Sequence, residues 1–435
     1  MTMPRCIITG ELITQENNSR AHIIPSALGG RLKPWDILSR DGNGLLGDKV
    51  DLPLIRAFQA LMSLLNGSRD RGENQPVQMV DDNGRSYIVG FGDPVKLTKP
   101  RYEEKAAEDS VQIEIDARNL KELKTLLGRV KSKYPEFDID EALSQAVNVR
   151  TWPDGALKEQ LQIGPSVVFP ALFVSASLFA VHHKQQAHPL LEDYVSQFDP
   201  EQPKMPPDTF YFIPSDEWIS SPAEVSHIVA IMGCAKGQRA LVYFELFNAV
   251  SVGVLLPYSG QSNICETYAV DVLSGREIVP VIEKSVIFGL PWEATHQLGD
   301  PDLYEITANR IGRLLQISQE RAWDARIEAL KADIFSFDDE LPLTPEEMAN
   351  GVGKLADFVL LEWQRPLMTV EMMKADMETF SELCSHLLSG IPASGRGAFQ
   401  SLTQPYQQKL ADHLNNKRRN NAGQASTCNV TPCNN

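Results

Sequence analysis

The spacing of hydrophobic residues changes along the chain, and this change limits the folds that the sequence can adopt. Five short segments between residues 227 and 282 are rich in Val, Ile, Phe and Tyr and are separated by turn residues. Such segments are typical of antiparallel strands. From about residue 302 the apolar side chains recur at helical spacing instead. The sequence therefore predicts an α+β fold, with a central meandering antiparallel sheet followed by a largely α-helical C-terminal region.

Changes in composition divide the 435 residues into five predicted regions. A single hydrophobic core rarely grows beyond roughly 250–300 residues, so a chain of this length should form more than one compact unit. The regions are a Gly-rich N-terminal module (1–72), an α+β connecting region (73–200), the antiparallel sheet region (201–298), the helical region (299–414) and an Asn-rich tail predicted to be disordered (415–435).

One segment of the connecting region is apolar enough to resemble a membrane span. Residues 163–181 carry no charge, but two prolines interrupt them, and Pro165 suits the first turn of a helix. We predict a buried helix there and no membrane contact. The six cysteines are spread through the chain, and no charged-then-apolar leader precedes them. This pattern indicates a reducing, cytoplasmic location.

The net charge bears on whether nucleic acid is a partner. Lys and Arg number 41 and Asp and Glu number 57, which gives −16, whereas nucleic-acid binding proteins usually carry an excess of positive charge. The acidic excess lies outside the N-terminal module. Residues 1–72 contain nine basic and seven acidic residues, a net of +2, and the rest of the chain contains 32 and 50, a net of −18. The charge balance therefore leaves DNA open as a partner of the N-terminal module.

The N-terminal module contains a run of short motifs at specific spacing. In order they are Cys6-Ile7-Ile8-Thr9, Ala21-His22-Ile23-Ile24-Pro25, Leu28-Gly29-Gly30 and Ser39-Arg40-Asp41-Gly42-Asn43. This combination resembles the HNH nuclease family, in the branch whose pattern is a knuckle, an acidic residue, His-Ile-Ile-Pro, Leu-Gly-Gly, a second knuckle and Asn. The resemblance covers residues 1–65.

The resemblance implies a small ββα module that holds one divalent cation against a DNA phosphodiester. His22 would be the general base, because a neutral imidazole can take a proton from water near neutral pH. Asn43 would bind Mg²⁺ or Mn²⁺ through its side-chain oxygen. The paired glycines of the Leu-Gly-Gly motif would let the backbone turn or approach the nucleic acid closely.

One departure from the family pattern affects this metal site. An acidic metal ligand usually precedes the His in the family, whereas this chain has Ala21. Three outcomes are open: a nearby carboxylate such as Asp41, Asp48 or Asp51 takes its place, the enzyme is degenerate, or the chain is an inactivated variant. We predict the first outcome and assign Asn43, Asp48 and Asp51 as the metal ligands.

The zinc knuckles of the family are altered as well. Thr9, Ser39 and Gly42 occupy the places of three cysteines and leave Cys6 alone. A structural zinc needs four nitrogen or sulfur ligands, so we expect none. The amphipathic segment 51–65 is predicted to form a helix that packs over the module and replaces the stability that zinc would supply.

Basic side chains near the motifs are the predicted DNA contacts: Arg20, Arg31, Lys33 and Arg40. The leading prediction is a metal-dependent HNH-type endonuclease that hydrolyses DNA, acts in bacterial defence against foreign DNA, and uses its C-terminal regions to bind a signal, a protein partner or a second copy of the chain. The alternative is a catalytically degenerate protein that keeps the ββα module to bind nucleic acid or protein.

Two further features have less specific patterns. We interpret Arg69-Asp70-Arg71-Gly72 as a surface loop with a local ion pair, the alternative being a phosphate contact. Aromatic residues in the sheet region could line a ligand site that controls assembly, but we interpret them as sheet core: Tyr243, Phe244, Phe247 and Tyr258.

Overall fold

Helices and antiparallel sheets both contribute to a computed structural model of the chain, which describes residues 4–93, 95–107, 110–147, 153, 156–213, 218–283, 301–334, 344–364 and 368–425. The α+β class is confirmed, with a central sheet and a helical C-terminal region. The chain divides into two compact units. Unit 1 contains Met1–Val77, Gly90–Gly92 and Glu159–Ala322, and unit 2 contains Gln78–Val89, Asp93–Lys158 and Trp323–Asn435.

The described elements are numbered in chain order. The strands are β1 (Asn18–Ser19), β2 (Leu38–Ser39), β3 (Val77–Val80), β4 (Ser86–Val89), β5 (Lys96–Leu97), β6 (Arg101–Ala107), β7 (Ser110–Asp116), β8 (Thr209–Tyr211), β9 (Ile219–Ser220), β10 (Ser226–Cys234), β11 (Arg239–Leu246), β12 (Val250–Pro257), β13 (Ile264–Asp271), β14 (Glu277–Ile278) and β15 (Val281–Ile282). The α-helices are α1 (Arg40–Leu45), α2 (Leu52–Leu65), α3 (Leu120–Lys133), α4 (Ile139–Gln145), α5 (Pro165–His182), α6 (Leu191–Ser196), α7 (Pro301–Ile334), α8 (Pro345–Glu362), α9 (Val370–Gly390) and α10 (Ala393–Ala425).

The N-terminal module is built from two short strands and a helical segment. Strands β1 and β2 pair antiparallel, and α1, a π-helical segment (Leu46–Asp51) and α2 follow in sequence. Ser39 caps α1, because its hydroxyl accepts the Gly42 N–H at 3.1 Å. Helix α2 buries one side, as predicted, through residues that include Leu54, Phe58 and Leu61.

The central sheet has the strand order β14-β13-β10-β11-β12-β8, and all neighbouring strands are antiparallel. The predicted strands are present, but the predicted meander is wrong after β12. Strand β13 returns to pair with β10 instead of β12, because the far edge of β12 is already occupied by β8. Both faces of the sheet are buried, and the predicted core aromatics Tyr243, Phe244, Phe247 and Tyr258 all lie inside.

Helix α5 lies in the core of unit 1. It is apolar on all sides, with residues 168–180 buried, and it contacts α2 and strands β8, β11 and β12. The prediction of a buried helix with Pro165 in its first turn is confirmed. Within the described ranges it is the one helix that is long and apolar enough to cross a membrane by length and composition.

Unit 2 combines a small β region with a helical core. Strands β3, β4 and β5 form one sheet, β6 pairs with β7, and helix α3 follows β7. Helices α8, α9 and α10 share a core that includes Trp363, Phe380 and Phe399. The long predicted helix from residue 302 is α7. Helix α10 continues to Ala425, into the segment predicted to be a disordered tail, and residues 426–435 lie outside the described ranges.

Candidate functional site

The His-Ile-Ile-Pro and Leu-Gly-Gly motifs form one tight loop that follows β1. The Ile23 N–H donates to the Leu32 carbonyl at 3.1 Å, so the chain segments on the two sides of the loop run antiparallel. The Pro25 carbonyl accepts the N–H of Leu28 at 2.9 Å and that of Gly30 at 3.3 Å. The loop is therefore closed by its own backbone.

Both glycines of the loop are needed for this geometry. Gly29 has a φ of 91°, which lies in the left-handed region that favours glycine. A Cβ atom on Gly30 would lie 1.9 Å from the Ile24 carbonyl oxygen. Gly30 thus lies close to the protein's own backbone, and the predicted approach to nucleic acid stays a prediction.

The loop places His22 beside Asp70, which lies after α2. The His22 Nε2 atom is 3.2 Å from Asp70 Oδ2. The same carboxylate accepts hydrogen bonds from Lys33 Nζ at 2.5 Å and from Arg31 Nη1 at 3.2 Å. The four side chains are between 17 and 24% exposed. These residues, His22, Arg31, Lys33 and Asp70, are called the His22 site below.

Hydrogen bonds, charge and burial set the protonation states of Asp70 and His22. The hydrogen bond from Lys33 holds the pKa of Asp70 well below its usual range, and His22 and Arg31 lower it further against the opposing effect of burial. Burial lowers the pKa of His22 and outweighs Asp70, whose hydrogen bond and charge raise it, while the positive charges of Lys33 and Arg71 lower it further. At neutral pH the site therefore combines an ionised Asp70 with a neutral His22.

These protonation states decide which ring nitrogen of His22 is free. An ionised carboxylate can only accept hydrogen bonds, so the Nε2 atom that faces Asp70 carries the proton. The Nδ1 atom of the neutral ring then keeps its lone pair. His22 can take a proton through Nδ1 while Asp70 stabilises the resulting cation.

Tyr268, on strand β13 of the central sheet, supports the loop that carries Arg31. The Tyr268 hydroxyl accepts two backbone N–H groups, that of Arg31 at 2.8 Å and that of Leu32 at 3.2 Å. The Arg31 guanidinium donates from Nη2 to Ser68 Oγ at 2.8 Å, and the Ser68 N–H donates to the Val272 carbonyl at 2.7 Å. Both chain segments of the His22 site are thus attached to the same edge region of the sheet.

A second histidine, His227 on β10, joins the sheet to the other side of the loop. Its Nδ1 accepts the Phe247 N–H at 3.1 Å, so its Nε2 carries the proton and donates to the Leu28 carbonyl at 2.7 Å. The ring is fully buried, and burial lowers its pKa to about 4. His227 therefore stays neutral and acts as a structural link.

The positions that hold cysteines in the family pattern converge on Cys6, which is 2% exposed. A Cβ atom on Gly42 would lie 2.6 Å from the Cys6 Sγ and 3.3 Å from Ser39 Oγ. Burial raises the pKa of the Cys6 thiol, but hydrogen bonds from Ser39, Thr9 and nearby backbone outweigh burial and leave the pKa below its usual value. Cys6, Thr9, Ser39 and Gly42 are called the knuckle cluster below.

The three predicted metal ligands lie on the helical segment. Asn43 is half-exposed on α1, Asp48 is exposed on the π-helical segment, and Asp51 is half-buried at its end. Burial raises the pKa of Asp51 to about 7. In the part of the chain that the structure describes, no side-chain hydrogen bond or ion pair joins these residues to His22 or to each other.

The residues present do not fit a magnesium site beside His22. Ala21 is buried and offers no ligand atom, and the oxygens of Asp70 are taken by Lys33 and Arg31. Over the described ranges, no group of three or more His, Cys, Asp or Glu side chains could hold a metal ion. The carboxylate that accompanies His22 is therefore neutralised by basic side chains.

The predicted DNA contacts are only partly brought together. Arg31 and Lys33 belong to the His22 site. Arg20 stacks on Trp35, with its guanidinium carbon 4.6 Å from the ring centroid. Arg40 donates from Nη2 to the Glu16 carbonyl at 2.9 Å and makes no hydrogen bond or ion pair to the His22 site in the described structure.

Asp70 is the site residue that the sequence interpretation missed. We expected a local ion pair within its loop, and this is wrong, because its partners lie 37 to 48 residues earlier in the chain. An acidic residue between two arginines, five residues after the end of an amphipathic helix, was the available signal. Only the packing of α2 shows that this loop returns to the motif.

Comparison of the chain with protein-family models, with curated proteins and with solved structures found no match. The HNH resemblance therefore depends on the motifs alone.

Proposed function

We propose that the N-terminal module is an HNH-type endonuclease that hydrolyses DNA phosphodiester bonds, with His22 as the general base. The observation that carries this proposal is the His22–Asp70 hydrogen bond with Arg31 and Lys33 at the same carboxylate. A half-buried neutral histidine, oriented by a carboxylate and surrounded by cations, has the composition that phosphodiester hydrolysis requires.

Each residue of the site has a separate task in the proposed reaction. His22 Nδ1 takes a proton from water, and the resulting hydroxide attacks phosphorus while the bond from phosphorus to the leaving deoxyribose oxygen breaks. Lys33 and Arg31 have donors beyond those that contact Asp70, and these stabilise negative charge on the phosphate. Asp70 holds the imidazole orientation and stabilises its protonated form. The leaving oxygen takes a proton from solvent.

Two features of the module support its assignment to the HNH type. The order β1, β2, α1 with His22 after the first strand is the order that a ββα module requires. The knuckle cluster supports it independently, because positions 6, 9, 39 and 42, separated in the sequence, surround one sulfur atom. Both features agree with the motif resemblance.

The metal requirement stays a prediction. The resemblance implies Mg²⁺ or Mn²⁺, which would neutralise charge on the phosphate. Among the described residues, His22, Asp48 and Asp51 form no group that could hold a metal ion, so we assign no step of the reaction to a metal. The cleavage rate in the presence of a chelator measures directly whether the reaction requires a metal.

A DNA-cleavage assay on plasmid and on single-stranded circular DNA tests the proposed function. We expect the natural chain to cleave, and His22→Ala to lose roughly 10²–10⁴-fold in rate because the general base is removed. The matched control is Glu16→Gln in the same module, which should cleave normally because the Glu16 side chain is exposed and makes no hydrogen bond or ion pair in the described structure. Absence of cleavage of both substrates by the natural chain, with Mg²⁺, with Mn²⁺ and with chelator, would contradict the enzyme proposal.

A second candidate function is favoured because the side chains around His22 do not fit a metal ion. The module would then bind nucleic acid without cleaving it, because Ala21 stands where the family has an acidic ligand. The Ala21→Glu variant separates the two functions. Cleavage by Ala21→Glu alone would identify an inactivated site, and thermal unfolding must show that the variant is folded, since residue 21 is buried.

A further inference from the structure

Trp35 lies on the surface beside the His22 site. Its side chain is 56% exposed, although tryptophan is highly buried on average. It follows Lys33 by two positions, and the intervening Pro34 is buried. The buried proline anchors the backbone next to Trp35, and the indole presents an aromatic surface to solvent.

Arg20 covers one face of this indole ring. Its guanidinium carbon is 4.6 Å from the ring centroid, within the range of a cation–π contact. The Arg20 Nε also donates to the Lys33 carbonyl at 3.4 Å, which ties the arginine to the segment that carries Trp35. Since one face is covered and more than half of the side chain is exposed, the other face is open to solvent.

The surface around Trp35 attracts anions. Its basic side chains are Arg20, Arg31, Lys33 and Arg71, and Arg71 lies close enough to lower the pKa of His22 through its charge. These cations outnumber the carboxylates Asp36 and Asp70 in the described part of this surface. The cations of this surface are complementary to the phosphates of a nucleotide strand, and the open aromatic face is complementary to its bases.

We propose that Trp35, backed by Arg20, stacks on an unpaired base of single-stranded DNA next to the phosphodiester held at the His22 site. This inference rests on the proposed nuclease function and names its substrate class. An aromatic side chain stacks on a base only if the face of that base is free. Bases inside a duplex have both faces covered by their neighbours, so an unpaired strand fits this platform and an intact duplex does not.

Binding is measured by fluorescence anisotropy in the His22→Ala background, where the strand stays intact. The probes are a labelled single strand of roughly 12 nucleotides, within the range of known single-strand sites, and the matching duplex. We expect the single strand to bind more tightly. Trp35→Ala should weaken its binding by about 5- to 150-fold and should change duplex binding little.

Two further variants make the result specific to the stacked ring. Trp35→Phe keeps an aromatic face and should retain most of the affinity, which also guards against misfolding of Trp35→Ala. Tyr304→Ala removes an aromatic side chain that is 81% exposed elsewhere in unit 1 and should leave affinity unchanged. Thermal unfolding of each variant shows whether it is folded.

Equal losses for single strand and duplex, or no loss in Trp35→Ala, would overturn the stacking proposal. Tighter binding of the matching oligoribonucleotide would overturn the assignment to DNA. The cleavage assay depends on His22 and the anisotropy assay on Trp35, so the two proposals fail separately. Cleavage that is lost in His22→Ala while Trp35→Ala binds normally would leave the nuclease proposal intact and remove this one.

Discussion

The knuckle cluster and the His22 site lie in the same module, and they depart from the family pattern in different ways. In the knuckle cluster, ligand positions hold small residues that pack against the single thiol of Cys6. In the His22 site, the carboxylate that faces the base comes from Asp70 in a distant loop and is bound by Lys33 and Arg31. The metal-ligand positions of the knuckle cluster are thus filled by packing alone, whereas the half-buried imidazole of His22 has charged partners.

Restoring cysteines to the knuckle cluster is the change with the largest expected effect. The triple variant Thr9→Cys, Ser39→Cys and Gly42→Cys should bind one Zn²⁺ per chain, with a binding free energy of the order of 10–16 kcal/mol as in zinc-finger peptides. Metal content and chelator competition measure it. The matched control adds Cys6→Ser, which removes the fourth ligand. Zinc binding that survives in this control would show that the four positions do not form one site.

Asp70→Asn tests the dependence of the base on its charged partner. The substitution keeps the size of the side chain but removes the charge that orients and stabilises His22, so the DNA cleavage rate should fall by roughly 10²–10⁴-fold. Glu16→Gln is again the matched control. An unchanged rate in folded Asp70→Asn would show that His22 acts without this partner.

Gly42→Ala tests the packing of the knuckle cluster. The added Cβ would lie 2.6 Å from the Cys6 Sγ, and such overpacking should lower the free energy of unfolding by about 1–3 kcal/mol. Gly44→Ala, on the same helix with open space around it, should raise stability by about 0.5–1 kcal/mol, since alanine favours helices more than glycine. Denaturant unfolding measures both, and equal effects of the two variants would contradict the packing argument.

The pH dependence of cleavage gives the smallest expected effect. In the proposed reaction the unprotonated form of His22 acts as the base, and its pKa in the folded protein lies below the usual 6.5. The rate should therefore hold as pH falls through 6.5 and then drop about tenfold per pH unit below the lowered pKa. Because Asp70 raises the pKa of His22, the fall in any residual activity of Asp70→Asn should begin at a lower pH. A fall that begins above pH 6.5 would contradict this assignment.

Local patterns predicted several of the longer elements. The strands β10 to β12 and the helices α2, α5 and α7 follow from strand-forming composition, helical spacing and apolar runs within each segment. The return of β13 to β10 could not be predicted, because strand pairing depends on which edges are already occupied.

The motif predicted His22 as the candidate base but could not predict its partners. Asp70 lies 48 residues from His22, and Tyr268 lies 237 residues from Arg31, and no local pattern encodes such contacts. The predicted metal ligands make no hydrogen bond or ion pair to His22 in the described structure, and their spacing on a helix could not show which way their side chains face. The turn predicted at the two glycines is present, since its geometry is local.

The support that Tyr268 gives to the Arg31 loop has a consequence for synthesis. The two residues are 237 positions apart, which a ribosome covers in about 12–47 s at roughly 5–20 residues per second. The N-terminal motif therefore emerges long before strand β13, and the loop that carries Arg31 lacks its support from Tyr268 during that interval. We expect cleavage to appear only after residue 272 has emerged, so ribosome-bound chains stalled before β13 should be inactive and those stalled well beyond it active.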